Sequence, residues 1–194
     1  MKKRVFFLAL LLVCAMPVVA FAAAPDRVGH LDIGVSGGGA FNDGNVDDSG
    51  YVQTALSWGV FPWLGIGVEG AWQEADGASD ETVGRADVLA DFIFRAPTPN
   101  VLGEDIVPYG IVGLGAQGQW VEDSDGVAPN NNGDDVDDTV FAWKLGLGAD
   151  WFFNPNWALN VELSWIFADP DLPGSSVDGD GDSFNIGGGI KYVF

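Results

Sequence analysis

Few side chains in this sequence could carry a reaction. The single histidine, His30, could move a proton near neutral pH, and Asp87 and Asp91 are spaced so that a strand would set both carboxylates on one face for acid/base work. Both have simpler readings, His30 as a capping or interior residue and the aspartates as structural partners of neighbouring Arg and Lys. No catalytic residue is expected. Asp178-Gly179-Asp180-Gly181-Asp182 spaces carboxylates two apart, like the opening of a calcium loop. The pattern then departs, since Ser183 stands where the turn glycine belongs and Gly189 where the bidentate glutamate belongs. What remains is a candidate weak Ca2+ or Mg2+ site at Asp178, Asp180 and Asp182, with no other cofactor. Gly65-Ile66-Gly67-Val68-Glu69-Gly70 and Gly113-Leu114-Gly115-Ala116-Gln117-Gly118 match the spacing of a dinucleotide fingerprint. That fingerprint needs a helix opening beneath the phosphates, and neither stretch has helical periodicity.

The elements that must position these residues are strands. Apolar and polar residues alternate with period two along the chain beyond the first 24 residues, placing successive side chains on opposite faces. In the clearest case Trp157, Leu159, Val161, Leu163, Trp165 and Phe167 share one face, and Asn160, Glu162 and Ser164 the other. Eight such segments are predicted: 29–41, 50–60, 64–73, 83–95, 107–121, 139–152, 157–167 and 183–194. Ten residues at about 3.3 Å each, tilted near 40°, match the apolar band of about 25 Å around a bacterial barrel. Connections alternate between short (Phe61-Pro62-Trp63, Asn154-Pro155-Asn156 and the longer 96–106) and long (42–49, 74–82, 122–138 and 168–182). The fold class expected is all-β, an eight-stranded antiparallel up-and-down transmembrane barrel. Aromatics should form two girdles on its outside, Trp58, Trp63, Phe94, Trp151, Trp157, Tyr192 and Phe194 near the short turns, and Trp72, Trp120, Phe141, Trp143, Trp165, Phe167 and Phe184 near the long loops.

Every charge placed within a strand falls opposite the apolar stripe. A lumen charge network is therefore expected from Glu69, Arg85, Asp87, Asp91, Lys144, Glu162 and Lys191, with Asp32, Arg95 and Asp150 in the same phase. Tyr109, Gln117, Gln119 and Asn160 should fill the space between them, because buried charges need partners. Inward glycines (Gly65, Gly67, Gly113, Gly115, Gly146, Gly148, Gly187 and Gly189) would relieve crowding in a narrow interior.

Lys2, Lys3 and Arg4 precede an apolar run from Val5 to Val19 that ends in Ala20-Phe21-Ala22-Ala23-Ala24. This is the pattern of a secretory signal peptide, residues 1–24, cleaved after Ala22 or Ala24, and it leaves 25–194 as one domain. Cys14 leaves with it, so no disulfide or thiolate site is expected. Of the 8 Lys and Arg, 3 lie in the leader, which leaves 5 bases against 28 acids, a net charge near −23. Nucleic acid is excluded as a partner by that charge. The four long loops hold 19 acids and no base, so they cannot grip lipopolysaccharide phosphates directly; either divalent cations bridge them to the anionic leaflet, or the organism lives in salty water where screening lowers the repulsion.

The chain resembles the small eight-stranded OmpA-like, OmpX-like and OmpW-like outer-membrane barrels. The most specific piece is the ending Ile190-Lys191-Tyr192-Val193-Phe194, which is similar to the signal read by the outer-membrane assembly machinery, with Ile190, Tyr192 and Phe194 at alternate positions. The resemblance implies a protein of the Gram-negative outer membrane, surrounded by lipid and lipopolysaccharide, with a plugged interior or at most a narrow gated path; a monomer is expected, and the loop lengths put both termini on the periplasmic side. Enzymes among such barrels use a histidine beside a serine or acid, which His30 does not reproduce. The function expected is non-catalytic: envelope integrity or surface presentation of acidic loops. Two alternatives are a narrow OmpW-like or porin-like conduit and a divalent-cation-dependent surface adhesin.

Overall fold

The computed structural model describes residues 28–42, 46–76, 81–96, 106–123, 136–169 and 181–194. Eight strands succeed one another: β1 Leu31–Asn42, β2 Ser49–Phe61, β3 Leu64–Asp76, β4 Glu81–Arg95, β5 Ile106–Asp123, β6 Val136–Asn154, β7 Trp157–Phe167 and β8 Ser183–Val193. Each pairs antiparallel with its neighbours in sequence, and β1 pairs with β8 to close the barrel. Closure leaves no strand edge, so the ladder satisfies the backbone where water cannot.

Period two decides which side chains go where. Along β7, Trp157, Leu159, Val161 and Leu163 are exposed on the outer face, whereas Ala158, Asn160, Glu162, Ser164 and Ile166 are buried in the lumen. The ring contacts gather at two levels outside. Near the short turns Phe61 stacks on Trp63, Trp63 on Phe94, and Trp157 meets Tyr192 edge-on. Near the long loops Trp72 lies against Trp120, Trp143 against Phe167 and Trp165 against Phe184.

The strands outrun the expected boundaries at the long-loop end. β3 continues to Asp76, and β5 and β6 pair as far as Val121 opposite Val136 and Trp120 opposite Asp137. Each added rung satisfies backbone groups, and loop acids in water do not oppose it. At the other end β1 starts two residues later than expected. Gly29 has φ 83°, a left-handed conformation that ends a strand and suits glycine, and its N–H donates to the Gly59 carbonyl at 2.8 Å.

The short turns are built locally. Asn154 Oδ1 accepts hydrogen bonds from the backbone N–H groups of Asn156 and Trp157, both at 2.9 Å, a side-chain turn that reverses the chain around Pro155. Bulges at Gly59/Phe61 and Phe152/Asn154 adjust the register beside both tight turns.

Candidate functional site in the barrel lumen

The lumen is organised in tiers. At mid-height Lys144 of β6, wholly buried, reaches between β3 and β7. Its Nζ donates to Glu69 Oε1 and Oε2 at 2.8 and 2.7 Å and lies 2.7 Å from Glu162 Oε1, the last contact being off the hydrogen-bonding direction. Gln53 Nε2 donates to Glu69 Oε2 at 2.8 Å, and Tyr109 OH to Glu162 Oε2 at 3.2 Å. Because β3 and β6 are not neighbours in the barrel, the Lys144–Glu69 pair spans the interior.

Toward the short-turn end, Asn160 Nδ2 donates to Tyr109 OH at 2.6 Å and to Asp150 Oδ1 at 2.9 Å. Lys191 pairs with Asp150 at 2.8 Å and stands 5.1 Å from the centre of the Tyr109 ring. Lower still, Arg95 of β4 crosses to Asp32 of β1 at 2.9 Å, and Ser57 donates to the same carboxylate oxygen at 3.4 Å. Toward the long loops, Asn42 Oδ1 accepts from Gln73 at 2.7 Å and from Arg85 at 2.9 Å, while Gln117 donates to Asp87 at 3.0 Å. Above them Val46, Ala75, Val83 and Val121 form a buried apolar cluster.

Glycine makes room for this packing. Gly148 faces Tyr109 so closely that a Cβ there would collide with the phenol ring and with the Val161 carbonyl. On the outer face, a Cβ on Gly84 would collide with the indole of Trp120.

All seven expected network residues therefore line the lumen, but they do not form one continuous cluster. Glu69, Lys144 and Glu162 make the central knot, and Lys191 belongs to a lower group through Asp150. Arg85 and Asp87 lie above, tied to Asn42 and Gln117. Asp91 lies beside Glu69 with its Oδ1 buried and without a hydrogen-bond partner. Seven network members were outside the expected set of sites: Asp32, Arg95 and Asp150 share the strand phase that exposes them in sequence, Gln53, Ser57 and Gln73 carry only the weaker signal of a polar residue in that phase, and Asn42 falls in a stretch expected to be a loop. Sequence reasoning also missed a second apolar cluster inside the lumen, Leu89, Ala142, Ile166 and Ala168 with Val140 against it.

The ending places Ile190 and Tyr192 on the outer face of β8 and an exposed Phe194 just beyond it, Tyr192 meeting both Trp157 and Phe194 edge-on. His30 is exposed at the short-turn end, its Nδ1 2.8 Å from the Phe194 carbonyl oxygen. Asp182 Oδ1 accepts from the Ala168 backbone N–H at 3.2 Å. Asp178 and Asp180 lie outside the described residues, as do residues 1–27 and much of the acidic loops. Among the described residues, no group of three or more His, Cys, Asp or Glu is arranged to hold a metal ion.

A closed antiparallel barrel with an apolar, doubly girdled exterior and an ion-paired interior defines an integral β-barrel membrane protein. A family model described as the outer membrane protein beta-barrel domain matches residues 6–187, and the chain belongs to that family. It is accordingly an outer-membrane protein. Among solved structures it is similar to the neisserial surface protein A, at 13% identity over 85% of this chain and 96% of that one, with a TM-score of 0.63. It is also similar to Ail, the attachment invasion locus protein of Yersinia pestis, at 15% identity over 86% and 99%, with a TM-score of 0.53. The outer membrane protein W of E. coli matches at 12% identity over 87% and 100%, with a TM-score of 0.52. These likenesses concern the fold. No curated protein matched the sequence.

Proposed function

We propose that this protein is a sealed, non-catalytic, monomeric barrel that contributes to the integrity of the outer membrane and displays acidic loops at the cell surface. In this reading residues 1–24 direct export and are removed, and both termini face the periplasm. Ile190, Tyr192 and Phe194 then present the assembly machinery with its signal. Short turns belong on the periplasmic side and long loops outside, as in bacterial barrels generally.

The observation that carries the reading is that side chains tie non-neighbouring strands across the lumen at three heights: Arg95 to Asp32, Lys144 to Glu69, and Arg85 to Asn42. Eight strands leave an interior that side chains can fill, and here buried residues occupy it from Val46 to Val193. The test is planar-bilayer recording on the refolded protein. Quiet bilayers are expected; reproducible single-channel steps from the wild type would overturn the reading.

A second reading, a narrow conduit, has one observation in its favour. A cavity of about 50 Å³ lies in the lumen, lined by Asp32, Glu69, Asp91, Glu162 and Lys191 among others. If it belongs to a gated path, Lys144 is the gate, and Lys144→Ala should conduct where the wild type does not.

A further inference from the structure

The lumen charges do not cancel. Asp32 pairs with Arg95 and Asp150 with Lys191, and Asp87 stands two residues from Arg85 on β4. Lys144 is then the one base left for three acids, Glu69, Glu162 and Asp91. Its ammonium touches the first two. Asp91 is 4% exposed, has no ion pair to any of the four lumen bases described above, and keeps Oδ1 without a hydrogen-bond partner. It also lines the cavity of about 50 Å³. A buried carboxylate out of contact with a base is strongly disfavoured in a low-dielectric interior unless a proton or a cation neutralises it, and the Lys144 ammonium, held by Glu69 and Glu162, does not pair with it.

We propose that this chamber binds a monovalent cation, Na+ or K+, at Asp91. The chamber wall adds neutral oxygen-bearing side chains, Ser36, Gln53 and Asn160, to the carboxylates of Asp91 and Glu69. Its volume admits a small ion with a few waters, since one water needs about 10–15 Å³ on this measure. A doubly charged ion is disfavoured for two reasons. Among the described residues no three acidic or histidine side chains are arranged as a metal cage, and the Lys144 ammonium already sits against Glu69 and Glu162. A singly charged ion requires only one free carboxylate oxygen and neutral donors. Such a site needs no path through the barrel, so it stands whether or not the protein conducts.

The test uses the full mature chain, refolded in detergent at pH 8 and constant ionic strength, with NaCl, KCl or N-methylglucamine chloride as the salt. Thermal unfolding is followed by gel mobility. Na+ or K+ should raise Tm saturably over the bulky cation, and Asp91→Asn, which keeps the side chain's shape, should lose that dependence. Crystals soaked in a thallium(I) salt should show an anomalous peak in the chamber next to Asp91. Three results overturn the proposal: equal Tm in all three salts, a Na+ or K+ response that survives in Asp91→Asn, or no thallium peak at this position. A Tm indifferent to salt but falling as pH rises, only where Asp91 is present, would mean that a proton shared with Glu69 neutralises the pair instead. Should Asp91→Asn fail to fold, the thallium peak in the wild type decides alone.

Discussion

Lys144 and Glu69 form a two-pronged ion pair across the barrel, the ammonium lying 2.8 and 2.7 Å from the two carboxylate oxygens of a strand three positions away. Removing one partner of a buried pair leaves the other uncompensated, which costs about 3–5 kcal/mol. Lys144→Ala should therefore lower the unfolding free energy by that order, read from urea titration of the refolded barrel in lipid vesicles. Lys144→Met combined with Glu69→Gln and Glu162→Gln removes the charges together and should lose much less. Equal losses in the single and triple variants would mean that packing, and not the charge, is what Lys144 provides.

Tyr109 lies over Gly148 and links Glu162 to Asn160. Gly148→Ala drives a methyl group into the phenol ring and the Val161 carbonyl, and overpacking of this kind costs about 1–3 kcal/mol. Tyr109→Ala removes half of the collision. The double variant should then be less destabilised than the two single losses added together, as expected for residues in contact. Strict additivity in a double-mutant cycle would show that Tyr109 does not pack here.

Val161 sits at the middle of β7 with its side chain outward and 60% exposed, flanked along the strand by buried Asn160 and Glu162. If hydrocarbon covers that face, Val161→Arg costs about 2–4 kcal/mol, whereas a charge near the interface costs about 0–1 kcal/mol. Thr139, outward near the long-loop end of β6, supplies the interface control. Unfolding free energies in vesicles should rank wild type and Thr139→Arg close together, with Val161→Arg well below. The reverse order would place the mid-plane of the membrane elsewhere on the barrel.

Period two alone makes most of this legible in the sequence. Glu162 between Val161 and Leu163 can face only one way once the flanking residues face lipid, and the same logic sends Asp91, Lys144 and Lys191 inward. What period two does not carry is stagger. Lys144 stands opposite Gly113 and Ile166 in the ladder, yet its partners are Glu69 and Glu162, a choice made by side-chain reach and by how the closed sheet coils. The apolar lumen clusters were hidden for a related reason. Leu89, Val83 and Ile166 lie in the polar phase, where an isolated hydrophobe reads as noise until the opposite wall is known. The strand ends at Asp123 and Val136 were hidden because acids mark loops statistically, while backbone pairing is indifferent to them in water.

The indoles of Trp72 and Trp120 are 4.7 Å apart on the outer face near the long loops, and Trp157 meets Tyr192 at 4.8 Å near the short turns. Rings with one polar edge settle at membrane interfaces, so the two sets should lie at opposite surfaces of an apolar band about 25 Å tall. Variants retaining only Trp120 or only Trp157, reconstituted in vesicles, can be quenched by lipids brominated at successive depths along the acyl chain. Both residues should be quenched best by shallow bromines and poorly by bromines at the bilayer centre. The aqueous quencher iodide, added to sealed vesicles of uniform insertion, should reach one of the two and spare the other. Iodide reaching both equally from one side, or bromines near the bilayer centre quenching both best, would be incompatible with two girdles and with the direction in which the strands cross.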